Sequence, residues 1–360
     1  MLLKLLNQAQ YELLNYPHRK LGYYIARPFK MFAGRDNDPN DKMAYSNAVL
    51  AKAMMDYYKK HINTEEAKEI MSVVKRYYGR WAVTGHKIYG LHDAYAGMAL
   101  IDVHKITNQD KYKDGVDRLF NYVMSVGTDE TGALILKNER NKKLDNRYVF
   151  AETIGMVCPF LAKYGYTYDN PVATNMAINQ INLFLQYGMD EKLVLPYHGY
   201  DSSNNMKMGI IGWGQAVGHL LTGMSETLAY ISPDSLEYET LRQAYRRIVD
   251  KVEAYQAEGG LYHWQLAAKE GPADTAASAM ILYSIGQALE NKVIISIHKS
   301  RMLRGVDALL ACVQEDGSLP GASAMAPEFN HYPVVFDAYP WALGPALALM
   351  TMVEEEVKEA

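Results

Sequence analysis

The sequence predicts an all-α fold, a closed (α/α)6 barrel in which residues 1–360 form one domain. Three observations carry the prediction. Apolar residues recur at helical spacing along nearly the whole chain, strand signals are scarce, and the helices alternate between two compositions.

In order along the chain, the first helix is read over 1–16, MLLKLLNQAQYELLNY. Its apolar side is interrupted by Lys4, Asn7, Gln8 and Gln10, with no continuous apolar stretch and no small-residue cleavage site. It therefore reads as an amphipathic helix and not an export signal, and a cytoplasmic chain is expected. The second helix, 42–61, contains SNAVLAKAMM; the third, 64–80, is entered through Asn63-Thr64-Glu65-Glu66, a capping side chain followed by early acids. Helices follow at 91–107, containing HDAYAGMALI, and at 109–126, stopped by Gly127. The next pair spans 149–164, with AETIGMVCPFL and then Gly165, and 171–187, ending at Gly188. Helices at 213–231 (GQAVGHLLTGM) and 235–257 are separated by Ser232-Pro233-Asp234, a helix-entry signature. The last three run over 274–290 (DTAASAMILYSI), 295–313 and 341–356 (WALGPALALM).

The quoted segments, one from every second helix, are dense in Ala, Gly, Ser and Met. Small residues let neighbouring helices approach closely, so these helices belong inside. The intervening helices, such as TEEAKEIMSVVKRYY, carry charge on one side and apolar residues on the other, and belong outside. Inner helices recur every 50 to 65 residues or so, as a repeated supersecondary unit does. An open solenoid would need polar capping units at both ends. The last helix is instead one of the most apolar, which favours closure.

Composition narrows the function classes. Hydrophobic residues make up 49% and charged residues 22%, with Lys+Arg 37 against Asp+Glu 41 and a net charge of −4. Such a chain buries a large core and lacks the basic footprint that nucleic acid or an anionic membrane demands, so neither is expected as a partner. No apolar run is long enough to cross a bilayer. The two cysteines, Cys158 and Cys312, sit in apolar runs and read as buried, reduced thiols. The ten histidines show no metal-ligand spacing, and neither a P-loop nor a dinucleotide or nucleophile-elbow motif occurs, so no metal or cofactor is expected. The 19 methionines fall mostly on inner helices and read as packing.

In a barrel of this kind the inner helices run parallel, so their N-terminal ends share one mouth. That inference gathers Asp41, Tyr45, His92, Asp93, Glu152, Trp213, Gln215, His219, Asp274 and Trp341. The loops leading there add His86, Lys142, Arg147, His198, Asp201, Trp264 and Asp337. Aromatic rings beside acids suit carbohydrate, because apolar sugar faces stack and hydroxyls need polar partners. Taken singly, an acid in a first helical turn is ordinarily a cap, and a tryptophan there is ordinarily core. The cluster carries the carbohydrate reading.

Four segments also resemble one family. YVFAETIGMVCPFLAKYG at 148–165 is similar to the V-D-T-x-x-M-x-x-P-F-L segment of the unsaturated glucuronyl and rhamnogalacturonyl hydrolases, glycoside hydrolase families 88 and 105. Residues 197–231 resemble the family's H-x-x-D … W-G-R-G-N-G-W-x-x-x-x-L-x-E-x-L region, and 260–290 its L-W-x-Q-x-L … E-T-S-x-S-A-M segment. The tail FDAYPWALGPALALMTMVEE resembles D-x-x-G-x-G-A-x-L-L-A-x-x-E. The resemblance implies the same (α/α)6 barrel and an oligosaccharide substrate left by polysaccharide lyases, with a 4,5-unsaturated uronate at its non-reducing end. It implies that an acidic residue protonates the C4=C5 enol ether, water adds at C5, and the hemiketal opens to release the next sugar.

Position by position, the resemblance places Glu152 at the catalytic acid, where the family has Asp, and Asp93 at the supporting acid. His198 and Trp213 match the family's histidine and first tryptophan. Gln215 stands where the family has Arg, His219 where it has a second Trp, and Phe150 where a Trp is often found. Tyr45, His92, Lys142, Trp264 and Trp341 complete the expected sugar-binding set. These departures leave two alternatives open: another (α/α)6 carbohydrate enzyme, such as an ordinary glycosidase, a lyase or an epimerase using His198 and His263, or an inactive sugar-binding relative. Monomer and homodimer are equally compatible with the sequence.

Overall fold

The computed structural model describes residues 1–16, 45–83, 85, 87–135, 147–326 and 328–358. The helices in order are α1 (Leu2–Asn15), α2 (Tyr45–Lys60), α3 (Glu65–Val83), α4 (Gly97–Thr107), α5 (Asp110–Val126), α6 (Ala151–Tyr168) and α7 (Pro171–Tyr187). They continue as α8 (Gly214–Leu228), α9 (Leu236–Val252), α10 (Thr275–Glu290), α11 (Lys299–Cys312) and α12 (Pro340–Met352). A 3₁₀ segment, Leu91–Ala96, runs directly into α4. No helix among the described residues is long and apolar enough to cross a membrane.

The helices alternate as their compositions demand. In α8 every residue from Gly214 to Leu228 is buried, and α12 is buried from Pro340 to Thr351. The outer α9 buries only Tyr238, Leu241, Tyr245, Ile248, Val249 and Val252, one stripe at helical spacing. The inner helices touch in a ring. Helix α2 packs on α12, α12 on α10, α10 on α8, α8 on α6, α6 on the Leu91–Ala96 turn, and that turn back on α2. The barrel is therefore closed, and the open solenoid is excluded.

Small residues set the ring's radius. A Cβ on Gly223 of α8 would lie 2.4 Å from the Ile154 carbonyl of α6, and one on Gly344 of α12 would lie 2.8 Å from Val49 of α2. Deeper in the barrel, charge is buried and paired. Lys52 of α2 lies 3.0 Å from Glu226 of α8 and 2.6 Å from Asp56, while the Tyr95 and Tyr283 hydroxyls donate to Glu226 at 3.1 and 2.7 Å.

Caps mark several helix starts: Thr64 Oγ1 accepts from the Ala67 amide at 3.2 Å, and Asn170 from Ala173 at 3.1 Å. Among the boundaries that differ from the sequence reading, three have a local cause. The cap of α9 is Ser235, which accepts from the Tyr238 amide at 3.1 Å, one residue past Ser232-Pro233-Asp234. Gly165 lies inside α6, which continues to Tyr168. A Cβ there would lie 2.1 Å from Thr174 Oγ1, so this glycine serves close approach and not termination. The helix expected from 149 begins at Ala151, because Tyr148–Phe150 is a strand, β1.

Strand β1 belongs to a three-stranded antiparallel sheet with β2 (Gly199–Asp201) and β3 (Met206–Met208), in the order β1-β2-β3. Its register pairs Tyr148 with Asp201, Val149 with Tyr200 and Phe150 with Gly199. A second antiparallel pair, β4 (Ala322–Ser323) and β5 (Phe336–Asp337), closes a loop at the same end.

Candidate active site

Glu152 is the second residue of α6, and the β1–β2 register decides what it meets. The Ala151 amide donates to the His198 carbonyl at 2.9 Å, bringing His198, 46 residues away, alongside the helix entry. His198 Nε2 then lies 2.9 Å from Glu152 Oε1. The pair is enclosed: His198 is fully buried and Glu152 is 5% exposed.

Two further histidines flank the acid. Gly155, one turn along α6 from Glu152, admits His219 of α8: a Cβ at 155 would sit 2.7 Å from His219 Nδ1. His92, in the turn before α4, is close enough to Glu152 and His198 for both to act on it electrostatically. Burial lowers the pKa values of both residues, His219 to about 4, so at neutral pH each offers an uncharged imidazole. Burial opposes the Glu152 charge as well, but the electrostatic pull and hydrogen bond of the adjoining His198 outweigh it and hold the carboxyl down at about 2. The unliganded protein therefore carries Glu152 as a carboxylate.

Four buried polar atoms in this cluster have no hydrogen-bond partner among the described residues: Glu152 Oε2, His92 Nε2, His219 Nδ1 and Trp213 Nε1. Buried polar groups are normally satisfied, so a group of orphans marks a place where a polar ligand completes the bonding. Around them stand aromatic rings. Trp213, at the entry of α8, lies 4.7 Å from the His198 ring, Phe150 meets His198 edge-on at 5.1 Å, and Tyr45 approaches His219 at 5.3 Å. Trp264 reaches the group through Tyr332, with ring centres 6.0 Å apart.

The remaining sequence-based candidates are placed differently. Gln215 is buried and donates from Nε2 to the Ser323 carbonyl at 2.8 Å and hydroxyl at 2.7 Å, while Trp341 Nε1 donates to the same carbonyl at 3.0 Å. Asp274 caps α10 and accepts from the Ser323 amide at 3.1 Å and hydroxyl at 2.5 Å. Three mouth residues thus converge on Ser323, at the root of the β4–β5 loop. Asp93 Oδ2 accepts from the Tyr89 amide at 2.7 Å, a bond that ties down the chain entering the 3₁₀ turn. Arg147 and Asp201 lie 3.5 Å apart. His263 donates from Nδ1 to the Gly271 carbonyl at 2.8 Å. Asp41, His86 and Lys142 lie outside the described residues.

Two residues of the cluster were missed by sequence reasoning. Tyr332 places its hydroxyl 2.9 Å from His198 Nδ1, and Phe329 stacks on Phe150 at 4.2 Å. Both sit in the irregular segment PEFNHYP, where no periodicity or resemblance singled them out.

The comparisons with known proteins bear on the family and the fold. The profile of Glycosyl Hydrolase Family 88 matches residues 24–357. The unsaturated rhamnogalacturonyl hydrolase YesR of Bacillus subtilis (strain 168) is 23% identical over 264 residues, covering 72% of this chain and 74% of that protein. Among solved structures, a possible member of the GH105 family from Salmonella enterica serovar Paratyphi A superposes with a TM-score of 0.85 at 16% identity, over 99% of this chain and 94% of its own. The unsaturated glucuronyl hydrolase of Bacillus sp. GL1 superposes with a TM-score of 0.70 at 13% identity, over 99% and 97%. With the family profile running along nearly all of a closed six-hairpin barrel, the chain belongs to Glycosyl Hydrolase Family 88.

Proposed function

We propose that this glycoside hydrolase, acting as one barrel domain, removes a 4,5-unsaturated uronic acid from the non-reducing end of lyase-generated oligosaccharides, with Glu152 as its acid and base. The observation that carries the reading is the division of labour within one carboxyl group. Oε1 is held by His198 at 2.9 Å, while Oε2 is buried without a partner among the described residues, in a cluster that also leaves His92 Nε2, His219 Nδ1 and Trp213 Nε1 unpartnered. Relatives of the chain are named for this activity, in the rhamnogalacturonyl and glucuronyl hydrolases above.

Catalysis begins with loading the acid. A uronate carboxylate entering the cleft brings like charge, and its sugar ring excludes water; both raise the pKa of Glu152 from its low resting value. Protonated Glu152 gives its proton to C4 of the enol ether, and positive charge develops at C5 and the ring oxygen. Water adds at C5 and returns a proton to the carboxylate, so the acid is regenerated. The C5 hemiketal then opens, breaking the bond from C5 to the ring oxygen, and the C1 hemiacetal releases the next sugar. No bond is displaced at the anomeric carbon in the enzymatic step, so two carboxylates at a fixed spacing are not required. His92, His219 and Trp213 supply uncharged hydrogen bonds to the sugar, and Phe150, Tyr45 and Trp264 supply apolar faces. Asp93 supports the site by fixing the turn that carries His92.

A sulfur-linked unsaturated disaccharide tests the reaction type. Replacing the glycosidic oxygen by sulfur hinders displacement at C1 but leaves the C4=C5 bond untouched. The analogue should still lose its double-bond absorbance in the presence of the enzyme. An enzyme that consumes the oxygen-linked sugar and leaves the sulfur-linked one unchanged contradicts the hydration mechanism.

A further inference from the structure

The loop joining β4 to β5 is anchored at its root and laid over the acid at its tip. At the root, Ser323 is bonded by Asp274, Gln215 and Trp341. At the tip, Phe329 meets the His198 ring edge-on at 5.2 Å, and Tyr332 packs edge-on against Trp213 at 5.3 Å. Two glycines across the sheet make room for these rings. A Cβ on Gly199 would lie 2.7 Å from the Phe329 ring. One on Gly209, which has a φ of +80°, would lie 2.4 Å from the Tyr332 hydroxyl and 2.6 Å from His198 Cβ. Real side chains do not approach so closely, so position 209 is shaped around Tyr332 and His198, and position 199 around Phe329 and the Val149 carbonyl of the paired strand, 2.2 Å from such a Cβ.

The direction of each hydrogen bond at Tyr332 follows from what each atom can do. The Ile210 amide can only donate, so the phenol oxygen accepts from it at 2.9 Å. Glu152, as a carboxylate, can only accept, so His198 Nε2 is the donor in that bond. A neutral imidazole carries one N–H. With that hydrogen on Nε2, Nδ1 presents a lone pair, and the Tyr332 hydroxyl donates to it. The chain of bonds therefore runs one way, from the Ile210 amide through Tyr332 and His198 to Glu152, each bond polarising the next.

Resting on the reading of Glu152 as the acid, we infer that Tyr332 is a positioning residue for the reaction. Its hydroxyl fixes the His198 tautomer that turns Nε2–H onto Glu152 Oε1, and so leaves Oε2 as the oxygen that faces the sugar. The phenol touches no reacting atom and acts through His198. It is supplied by chain 134 residues away, so the relay exists only where the β4–β5 loop lies over the site.

The test reads the tautomer directly. In full-length protein labelled with 15N-histidine, long-range proton–nitrogen spectra at neutral pH distinguish a protonated from an unprotonated ring nitrogen, and His198→Gln assigns the signal. The wild type should show a protonated Nε2 and an unprotonated Nδ1 at His198. Tyr332→Phe keeps the ring against Trp213 and Trp264 and removes only the hydroxyl. It should mix or invert the tautomers and lower kcat on an unsaturated disaccharide by about tenfold with KM held, the mark of an interaction expressed in the transition state. A proton on Nδ1 in the wild type overturns the inference, whether from the other tautomer or the imidazolium. So does an unchanged tautomer in Tyr332→Phe, or a changed one at undiminished kcat. If that variant does not fold, the wild-type spectrum decides alone. The spectrum needs no substrate, so a wild type inert towards every unsaturated sugar would refute the assigned reaction while leaving the tautomer result standing.

Discussion

Replacing Glu152 by Gln should destabilise this protein at neutral pH, the reverse of what is expected for removing an unpaired buried charge. The side chains share one shape, and the Gln oxygen accepts the same bond from His198 Nε2, so the substitution isolates the charge. Burial acts against that charge, yet the neighbouring histidines, His198 and its hydrogen bond foremost, outweigh it and bring the Glu152 pKa from 4.5 to about 2. At about 1.36 kcal/mol per pH unit, the fall makes the ionised carboxylate worth about 3 kcal/mol to the folded state. Because the folded pKa lies below the unfolded one, this contribution is complete above about pH 4.5 and is lost as the pH falls towards 2. Urea unfolding of wild type and Glu152→Gln at pH 7, 5.5, 4 and 3, compared at equal m-values, reads the difference. The gap should be about 3 kcal/mol at pH 7 and 5.5 and should narrow at pH 4 and 3. A variant as stable as wild type at pH 7, or more stable, would refute the argument that the histidines compensate the buried carboxylate.

Two other substitutions separate scaffold from site. Gln215→Ala should lower stability by about 1–3 kcal/mol, because two buried bonds to Ser323 are lost, and should leave KM nearly unchanged. A large rise in KM without a fall in melting temperature would instead place Gln215 on the substrate. Lys52→Met should cost about 3–5 kcal/mol, or prevent folding, because Glu226 keeps its charge in the barrel without its ammonium partner. Adding Glu226→Gln to that variant should recover much of the loss in a thermal melt; no recovery would place the loss on Asp56, the other carboxylate Lys52 holds at 2.6 Å, or on packing, and not on Glu226.

Much of the barrel was legible because its physics is local. Runs such as GQAVGHLLTGM declare a helix that packs on all sides, and SLEYETLRQAYRRIVDKVEAY one that faces water on one side. Periodicity also placed Glu152 in the first turn of an inner helix. What it could not show was a three-residue strand, Tyr148–Phe150, ahead of a helical run. That strand sets the angle at which Glu152 leaves α6, and its pairing brings in His198. The fates of Gln215, Trp341 and Asp274 depended likewise on a partner, Ser323, that no spacing rule connects to them. Tyr332 and Phe329 lie in a loop whose conformation is set by tertiary contacts and by the space left at Gly199 and Gly209. The resemblance to the hydrolase family pointed to Glu152 as the candidate acid from its helix segment. The division of its carboxyl into a held and a free oxygen required the fold.

The most direct measurement follows the ultraviolet absorbance of the C4=C5 bond in lyase-generated disaccharides from rhamnogalacturonan, other pectins and glycosaminoglycans. Wild type and Glu152→Gln are assayed side by side. The account predicts that wild type abolishes the absorbance of at least one of these sugars and that the variant, folded, leaves all of them unchanged. Equal loss of absorbance with both proteins would remove Glu152 from its role, and no loss with either would contradict the proposed reaction.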